Sequence, residues 1–463
     1  MLVKFIVENF LSFREEKTLS MVASKSYKNL PTHIMKLEKQ DSEILSTAAC
    51  YGANASGKSN LCRAIEVAKR MITMGTRHVN DKLPYKPFKL DSETITAPTR
   101  FEFVFCSKGK TYGYGFVYNT QIIFEEWLFE ISGNRELTYF ERQTIDDKTI
   151  VKTYPRFASK RNEKDKFLKY VARGTRTNQL FLTEMESKNV KNVAPIMNWF
   201  RNSLKVIYPK TRYGSLELHA HTDQKFTNFL SSYLREAGTG IEKIEPITDE
   251  KVDESRIVDI IVEELGSDVL DQDFFDNLKT VDTDSALIFS TPKNRRIIIT
   301  KDSDGDFMLL TAKIVHIGAD GSPVYFDIEE ESDGTQRLLD LIPAVLPYEV
   351  GKERVFIIDE LDRSLHPLLT RMFLEAHFLC GSSGCSHQLI FTTHDTNLLD
   401  QKLIRRDEIW FIEKDKSGSS FIYSLSDFKV RNDLKLGRGY LQGRFGAIPF
   451  IGDIHKLGLY DKE

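Results

Sequence analysis

Gly52-Ala53-Asn54-Ala55-Ser56-Gly57-Lys58-Ser59 satisfies the pattern G-x-x-x-x-G-K-[ST] at every fixed position. The chemistry of that pattern leaves little freedom. A glycine-bounded loop turns backbone N–H groups toward phosphates, a lysine (Lys58) reaches the β/γ oxygens, and a hydroxyl (Ser59) is offered to Mg²⁺. Asn60 follows at the start of the next element and is counted with residues 52–59 as a nucleotide contact. Three hundred residues on, Arg354-Val-Phe-Ile-Ile-Asp359-Glu360 is a short apolar run ending in two carboxylates. Asp359 is expected to hold Mg²⁺ through water, and Glu360 to orient or deprotonate the water that attacks the γ-phosphate.

Two further segments carry candidate chemistry. Gln388-Leu-Ile-Phe-Thr-Thr-His394-Asp395 ends an apolar run on a histidine able to hydrogen-bond a γ-phosphate and sense its loss, although a lone histidine there is more often structural. Glu331-Ser332-Asp333-Gly334-Thr335-Gln336-Arg337 precedes a helical pattern, and its serine, glycine and amides suit a second anion nest centred on Ser332 and Gly334. The same heptad also reads as an ordinary N-capped helix start.

The elements that must position these groups follow from periodicity. Ile44 to Tyr51 reads as a strand entering the loop, and Asn60 to Met74 as a helix leaving it, with Leu61, Ala64, Ile65, Ala68 and Ile72 at helical spacing. Its N-terminus would aim positive charge at the phosphates. Val355 to Ile358 is apolar throughout, as parallel strands between helix layers are, so Asp359 is expected at a strand's carboxyl end. Phe101 to Cys106 and Thr111 to Tyr118 form a hairpin pattern, extended by Ile122 to Ile131. From about 156 to 285 the pattern turns mainly helical, as at Val193 to Leu204 and Phe226 to Ala237. Strands return at Ala286 to Ser290, Arg295 to Thr300 and Phe307 to Ile317. The expected fold class is α/β, a mixed sheet with helices plus an antiparallel β layer. Residues 1–155 form an N-terminal lobe, 156–285 a mainly helical insertion and 286–463 a C-terminal lobe.

In this order the motifs resemble the ABC-type ATPases of the SMC/RecF/OLD group. More narrowly, they resemble the AAA-type ATPases found beside toxin or nuclease genes in bacterial phage defence (AbiLi-, RloA- and AriA-like). The resemblance rests on Phe5-Ile-Val-Glu-Asn9-Phe10-Leu-Ser12-Phe13-Arg14, on 52–59, on Glu331 to Arg337 and on Asp359-Glu-Leu-Asp-Arg-Ser-Leu-His-Pro367. It continues through Thr392-Thr-His394-Asp395 and the tail Gly439 to Phe450, with the middle third matched least specifically. It implies an ATP- and Mg²⁺-dependent ATPase head that pairs with a second copy through its nucleotide sites. Lys58, Ser59, Asp359, Glu360 and His394 would act in cis, and Ser332 and Gly334 in trans. Arg363 to His366 would let the two sites sense each other. Only Ser332 and Gly334 survive of the usual Leu-Ser-Gly-Gly-Gln signature, and His366 replaces a common aspartate, which bears on turnover more than on binding. Gln143 and Gln179 are both open as the glutamine that faces the nucleotide.

The resemblance also implies a scaffold or sensor that controls a separate effector, a nuclease or toxin, on meeting a phage-encoded trigger. The alternative is a RecF-like DNA-binding ATPase in repair or maintenance. OLD relatives append a nuclease after these motifs, but too few residues follow His394 for one. Glu413 and Asp415 read as solvated turn acids, so nuclease activity in this chain itself is not expected.

A net charge of −3 on 463 residues means that any affinity for nucleic acid must come from a local patch. Residues 151–176 carry nine Lys/Arg against two carboxylates, whereas 242–284 carry fifteen Asp/Glu against four Lys/Arg. These are either solvated faces or docking surfaces. No apolar run long enough to span a membrane is present. Lys4 and Glu8 interrupt the first apolar stretch, arguing against a secretory signal. Five cysteines without a C-x-x-C pair suit a reducing cytoplasm. Cys380, Cys385 and His387 cluster without an evident fourth metal ligand.

Overall fold

The computed structural model describes residues 1–37, 43–133, 135–146, 148–154, 163–248, 251–270, 272–282, 286–291, 296–346, 353–382, 386–430 and 435–449. The chain divides into two compact units. One comprises Met1–Pro209, Pro347–Asp362 and Leu374–Glu463; the other comprises Lys210–Leu346 and Arg363–Phe373.

Among the described residues the first unit contains a six-stranded sheet, a seven-stranded sheet and a two-stranded one made by Ile34–Lys36 and Glu43–Leu45. In the six-stranded sheet the order is Leu204–Ile207, Glu353–Ile358, Ser386–Thr392, Thr47–Tyr51, Ile409–Lys414 and Ser420–Ser424. Every pair is parallel except the last. Central parallel strands are covered on both faces, so they tolerate only apolar or small side chains. All five residues of Thr47-Ala-Ala-Cys-Tyr51 are accordingly buried. The pairing register fixes where these strands stop. Ile358 lies opposite Phe391, and Thr392 opposite Cys50, so the carboxyl ends of three strands finish level with one another.

The seven-stranded sheet is antiparallel throughout, in the order Lys148–Thr153, Arg135–Ile145, Ile123–Ser132, Lys110–Tyr118, Thr99–Ser107, Leu2–Glu8 and Lys17–Ser20. The helix Lys58–Met74 buries Leu61, Ala64, Ile65, Ala68 and Ile72, the apolar stripe read from spacing. These join Phe5, Phe103, Val355 and Ile390 in one hydrophobic cluster, within which Phe105 stacks on Trp199 at 4.2 Å between ring centroids.

The second unit is built on a sheet ordered Lys243–Thr248, Phe307–Ile317, Arg296–Lys301 and Leu287–Ser290, with Pro323–Phe326 also paired to Phe307–Ile317. The helices Glu254–Leu265 and Gln272–Thr280 cover it through Ile257, Ile261, Phe274 and Leu278.

Two sequence expectations need correction. The helical pattern read over Val193 to Leu204 ends earlier: a helix at Ala194–Asn198 widens into a π-turn at Trp199–Ser203, and Leu204 opens a strand. Leu204 to Ile207 pair with Val355 to Ile358, and an available sheet edge outweighs local propensity. Lys243–Thr248 is likewise a strand inside a segment read as mainly helical, because all six of its residues pair with Phe307–Ile317.

Candidate nucleotide-binding site

The loop Gly52 to Gly57 joins the strand Thr47–Tyr51 to the helix Lys58–Met74. Its two glycines stand where an added side chain would be crowded. A Cβ on Gly57 would lie 2.3 Å from Ser420 Oγ and 2.8 Å from Ser12 Oγ, and φ there is +115°. A Cβ on Gly52 would meet the carbonyl oxygen of Ile412 at 2.3 Å. Ala55 also takes a positive φ of 60°. Asn54 and Ala55 are exposed, Ala53 is half-buried, and Ser56 is buried with an Oγ that has no hydrogen-bond partner. A buried hydroxyl without a partner carries a desolvation cost. A phosphate oxygen is the kind of acceptor that would satisfy it.

Lys58 is 6% exposed, and its ammonium donates to the carbonyl oxygens of Gly52 (2.8 Å) and Ala53 (2.9 Å). Burial lowers its pKa, and the charges of Asp359, Asp362 and Glu360 oppose that shift. Ser59 donates its hydroxyl to Asp359 Oδ1 at 3.1 Å, across 300 residues of sequence. The same Oδ1 accepts from Thr392 Oγ1 at 2.8 Å, and Cys62 Sγ stands 3.9 Å away. A hydroxyl and a nearly buried carboxylate facing each other at the loop form an oxygen donor set suited to Mg²⁺.

Glu360 follows Asp359 with φ at +50°, a left-handed backbone for a non-glycine residue. Its N–H donates to Thr392 Oγ1 at 2.8 Å, and the next N–H, of Leu361, donates to the Thr392 carbonyl at 2.9 Å. His394 is exposed, and its backbone N–H reaches the Asp362 carboxylate at 3.3 Å. Partial desolvation, and then the Lys58 charge, lower the pKa of its imidazole.

Lys58, Ser59, Asp359, Glu360 and His394 therefore surround one end of the parallel sheet. Asn60 follows in the first turn of the helix, and its amide donates to Ser12 Oγ at 2.8 Å. Ser332 and Gly334 belong to the second unit. There Ser332 is the N-cap of the helix Asp333–Leu341 and accepts from the Thr335 N–H at 3.2 Å, so the cap reading of this heptad holds. A Cβ on Gly334 would approach the Ser364 carbonyl to 2.8 Å. His366 is exposed and accepts from the Leu368 N–H through Nδ1.

Neither candidate glutamine stands at the loop. Gln179 Oε1 accepts from Thr76 N and Oγ1, beyond the far end of the 17-residue P-loop helix, on the order of 25 Å along its axis. Gln143 pairs with Glu125 and Ile150 in the antiparallel sheet. Glu413 accepts from Tyr423 Oη, and Asp415 accepts from Ser417 and Ser419 within its own turn. Cys380 and His387 are buried, and Cys385 lies outside the described residues.

Ser12, Asp362 and Thr392 entered the sequence reading only within longer matched stretches, with no role of their own, and Ser420 was not named. Ser420 Oγ lies 2.7 Å from Ser12 Oγ and 2.6 Å from the Ser56 carbonyl, and Ser420 N–H donates to the Ser12 carbonyl. The ends of the chain thus brace the loop. Serines carry no spacing signal, but Asp362 lies two residues past the Asp-Glu pair and Thr392 two before His394, so both were legible in principle.

The protein-family model described as "AAA domain, putative AbiEii toxin, Type IV TA system" matches residues 48–400, from the P-loop strand to beyond His394. The chain belongs to this family. Comparison with curated proteins found no match. Among solved structures, the AAA protein is similar to an SMC head domain from Thermotoga maritima, with 11% identity, TM-score 0.37, and coverage of 93% of this chain and 99% of that one. It is also similar to an SMC head bound to the C-winged helix domain of ScpA, with 11% identity, TM-score 0.38, and coverage of 91% of this chain and 97% of that one. Among the described residues no helix is long and apolar enough to cross a membrane.

Proposed function

We propose that this AAA-family protein binds ATP with Mg²⁺ and hydrolyses it, that two copies pair through their nucleotide sites, and that the cycle controls a separate nuclease or toxin effector in defence against phage. The observation that carries the reading is the 3.1 Å approach of Ser59 Oγ to Asp359 Oδ1, with Lys58 and Glu360 adjoining. Two segments far apart in sequence meet as the oxygen donors a magnesium triphosphate needs. Bound between Ser59 and Asp359, Mg²⁺ would offset the charge of the β- and γ-phosphates. Lys58 balances the remaining charge, Glu360 takes the proton of the attacking water, and His394 hydrogen-bonds the γ-phosphate. Residues 52–57 cradle the phosphates through backbone N–H groups. Ser332 and Gly334 complete the site of a second copy in trans, so the molecule works as a homodimer or higher homo-oligomer. The proposed setting is the cytoplasm, with a phage-made trigger.

A second reading, a RecF-like DNA-binding ATPase in repair or maintenance, draws on the helix Glu163–Gly174, where Lys166, Lys169, Tyr170 and Arg173 are exposed on one face. Binding of DNA that weakens steeply between 50 and 200 mM salt would favour it.

Two variants test the ATPase reading. Lys58→Ala is expected to lose ATP binding. Glu360→Gln is expected to keep ATP while turnover falls by roughly 100-fold or more, accumulating paired heads in size-exclusion chromatography. Turnover of Glu360→Gln at the parental rate would remove Glu360 from its role as base. Co-purification with the products of adjacent genes tests the effector.

A further inference from the structure

Two carboxylates at the site need different placements relative to the same phosphate, yet they are consecutive residues. Something outside their own strand must set the angle between them. Thr392 Oγ1 touches both residues, the carboxylate of Asp359 and the backbone N–H of Glu360. Thr392 Oγ1 donates its single proton to Asp359 Oδ1 at 2.8 Å and accepts the Glu360 N–H at 2.8 Å. The carbonyl of the same residue accepts the Leu361 N–H at 2.9 Å. Thr392 is 1% exposed, so water cannot replace these bonds cheaply.

Strain makes the need concrete. Glu360 holds a left-handed backbone at φ +50°, which persists only when its surroundings over-determine it. The anchored N–H groups of Glu360 and Leu361, both ending on Thr392, are such surroundings. The sheet register explains why this residue is available: Thr392 lies opposite Cys50 at the end of its strand, one position past the Ile358–Phe391 pair.

We propose that Thr392 is a positioning residue whose hydroxyl couples the metal-holding carboxylate of Asp359 to the water-activating carboxylate of Glu360. The inference rests on the ATPase function proposed for this site. The Thr392 hydroxyl is engaged by Asp359 and Glu360 and makes no bond to residues 52–58 among those described, so its loss should leave the loop's grip on nucleotide intact while the two carboxylates lose their mutual alignment.

The test compares Thr392→Val, which keeps shape and branching but removes the hydroxyl, with Thr392→Ser, which keeps the hydroxyl. For Thr392→Val, Mg²⁺ affinity or kcat is expected to fall on the order of 10- to 100-fold, as when a bond to a metal ligand is removed. ATP affinity measured without Mg²⁺ is expected to stay the same. Amide hydrogen exchange of Glu360 in the nucleotide-free protein should quicken in Thr392→Val and stay slow in Thr392→Ser, which should also keep turnover. Should Thr392→Val not fold, Thr392→Ala against Thr392→Ser gives the same comparison. Parental kcat, Mg²⁺ dependence and Glu360 exchange in the hydroxyl-free variant would overturn the role of Thr392. Failure of the unmodified chain to bind or hydrolyse ATP would instead overturn the function it rests on.

Discussion

At the residue scale the site is a small set of charges kept close in partly dry surroundings. Burial opposes the charge on Lys58, and the carboxylates of Asp359, Asp362 and Glu360 favour it. The consequence is testable at His394. Its ordinary pKa near 6.5 is lowered, first by desolvation and then by the Lys58 ammonium. The folded protein therefore keeps this imidazole neutral to lower pH than the unfolded chain does. Above pH 6.5 the shift costs no stability; as pH falls below that value the unfolded state takes up the proton first and stability declines. Lys58→Met removes the second cause, so the His394 midpoint followed by imidazole NMR is expected to rise toward its ordinary value. A midpoint that stays put or drops would show that Lys58 does not act on His394. A neutral imidazole suits the role proposed for it, since it can still donate one N–H to a phosphate oxygen.

At the element scale, the strand–loop–helix unit depends on how closely its neighbours approach the glycines. Gly57→Ala places a methyl against Ser420 and Ser12 and forces φ +115° on a residue with a Cβ. Strain of about 1–3 kcal/mol is expected, concentrated at the loop. ATP affinity should drop by more than the urea midpoint of unfolding does. A variant that binds ATP like the parent would show that the loop relaxes without cost. The strand and helix flanking the loop were legible beforehand, because small residues before the motif and a 3.6-residue apolar stripe after it are local signals. Ser12 and Ser420 were not, because each reaches the loop through tertiary packing from opposite ends of the chain. The strand Leu204–Ile207 was missed for a related reason: four residues become a strand only when a paired edge is presented to them.

At the scale of the whole molecule, the antiparallel sheet is fastened to the segment beyond it by a buried ion pair. Glu126 accepts from Tyr114 Oη, from Arg142 and from the N–H groups of Phe181 and Leu182, while Arg142 also donates to the carbonyls of Gln179, Arg176 and Thr177. Arg142 and Glu126 side chains are both 0% exposed. Arg142→Met strands a buried carboxylate and is expected to cost about 3–5 kcal/mol, read from urea unfolding. Adding Glu126→Gln should recover part of the loss, and a fully additive double variant would mean the two groups do not interact. The sequence by itself determined which groups are candidates: the glycine-bounded loop with Lys58 and Ser59, the Asp-Glu strand end, the histidine and their order along the chain. These are local patterns, in which residue type and short spacing carry the signal. Only the tertiary structure decided that Ser59 meets Asp359, that Thr392 sits between Asp359 and Glu360, and that both glutamine candidates stand elsewhere. Which strand ends finish level is set by parallel pairing between segments hundreds of residues apart, and no short window of sequence contains that register.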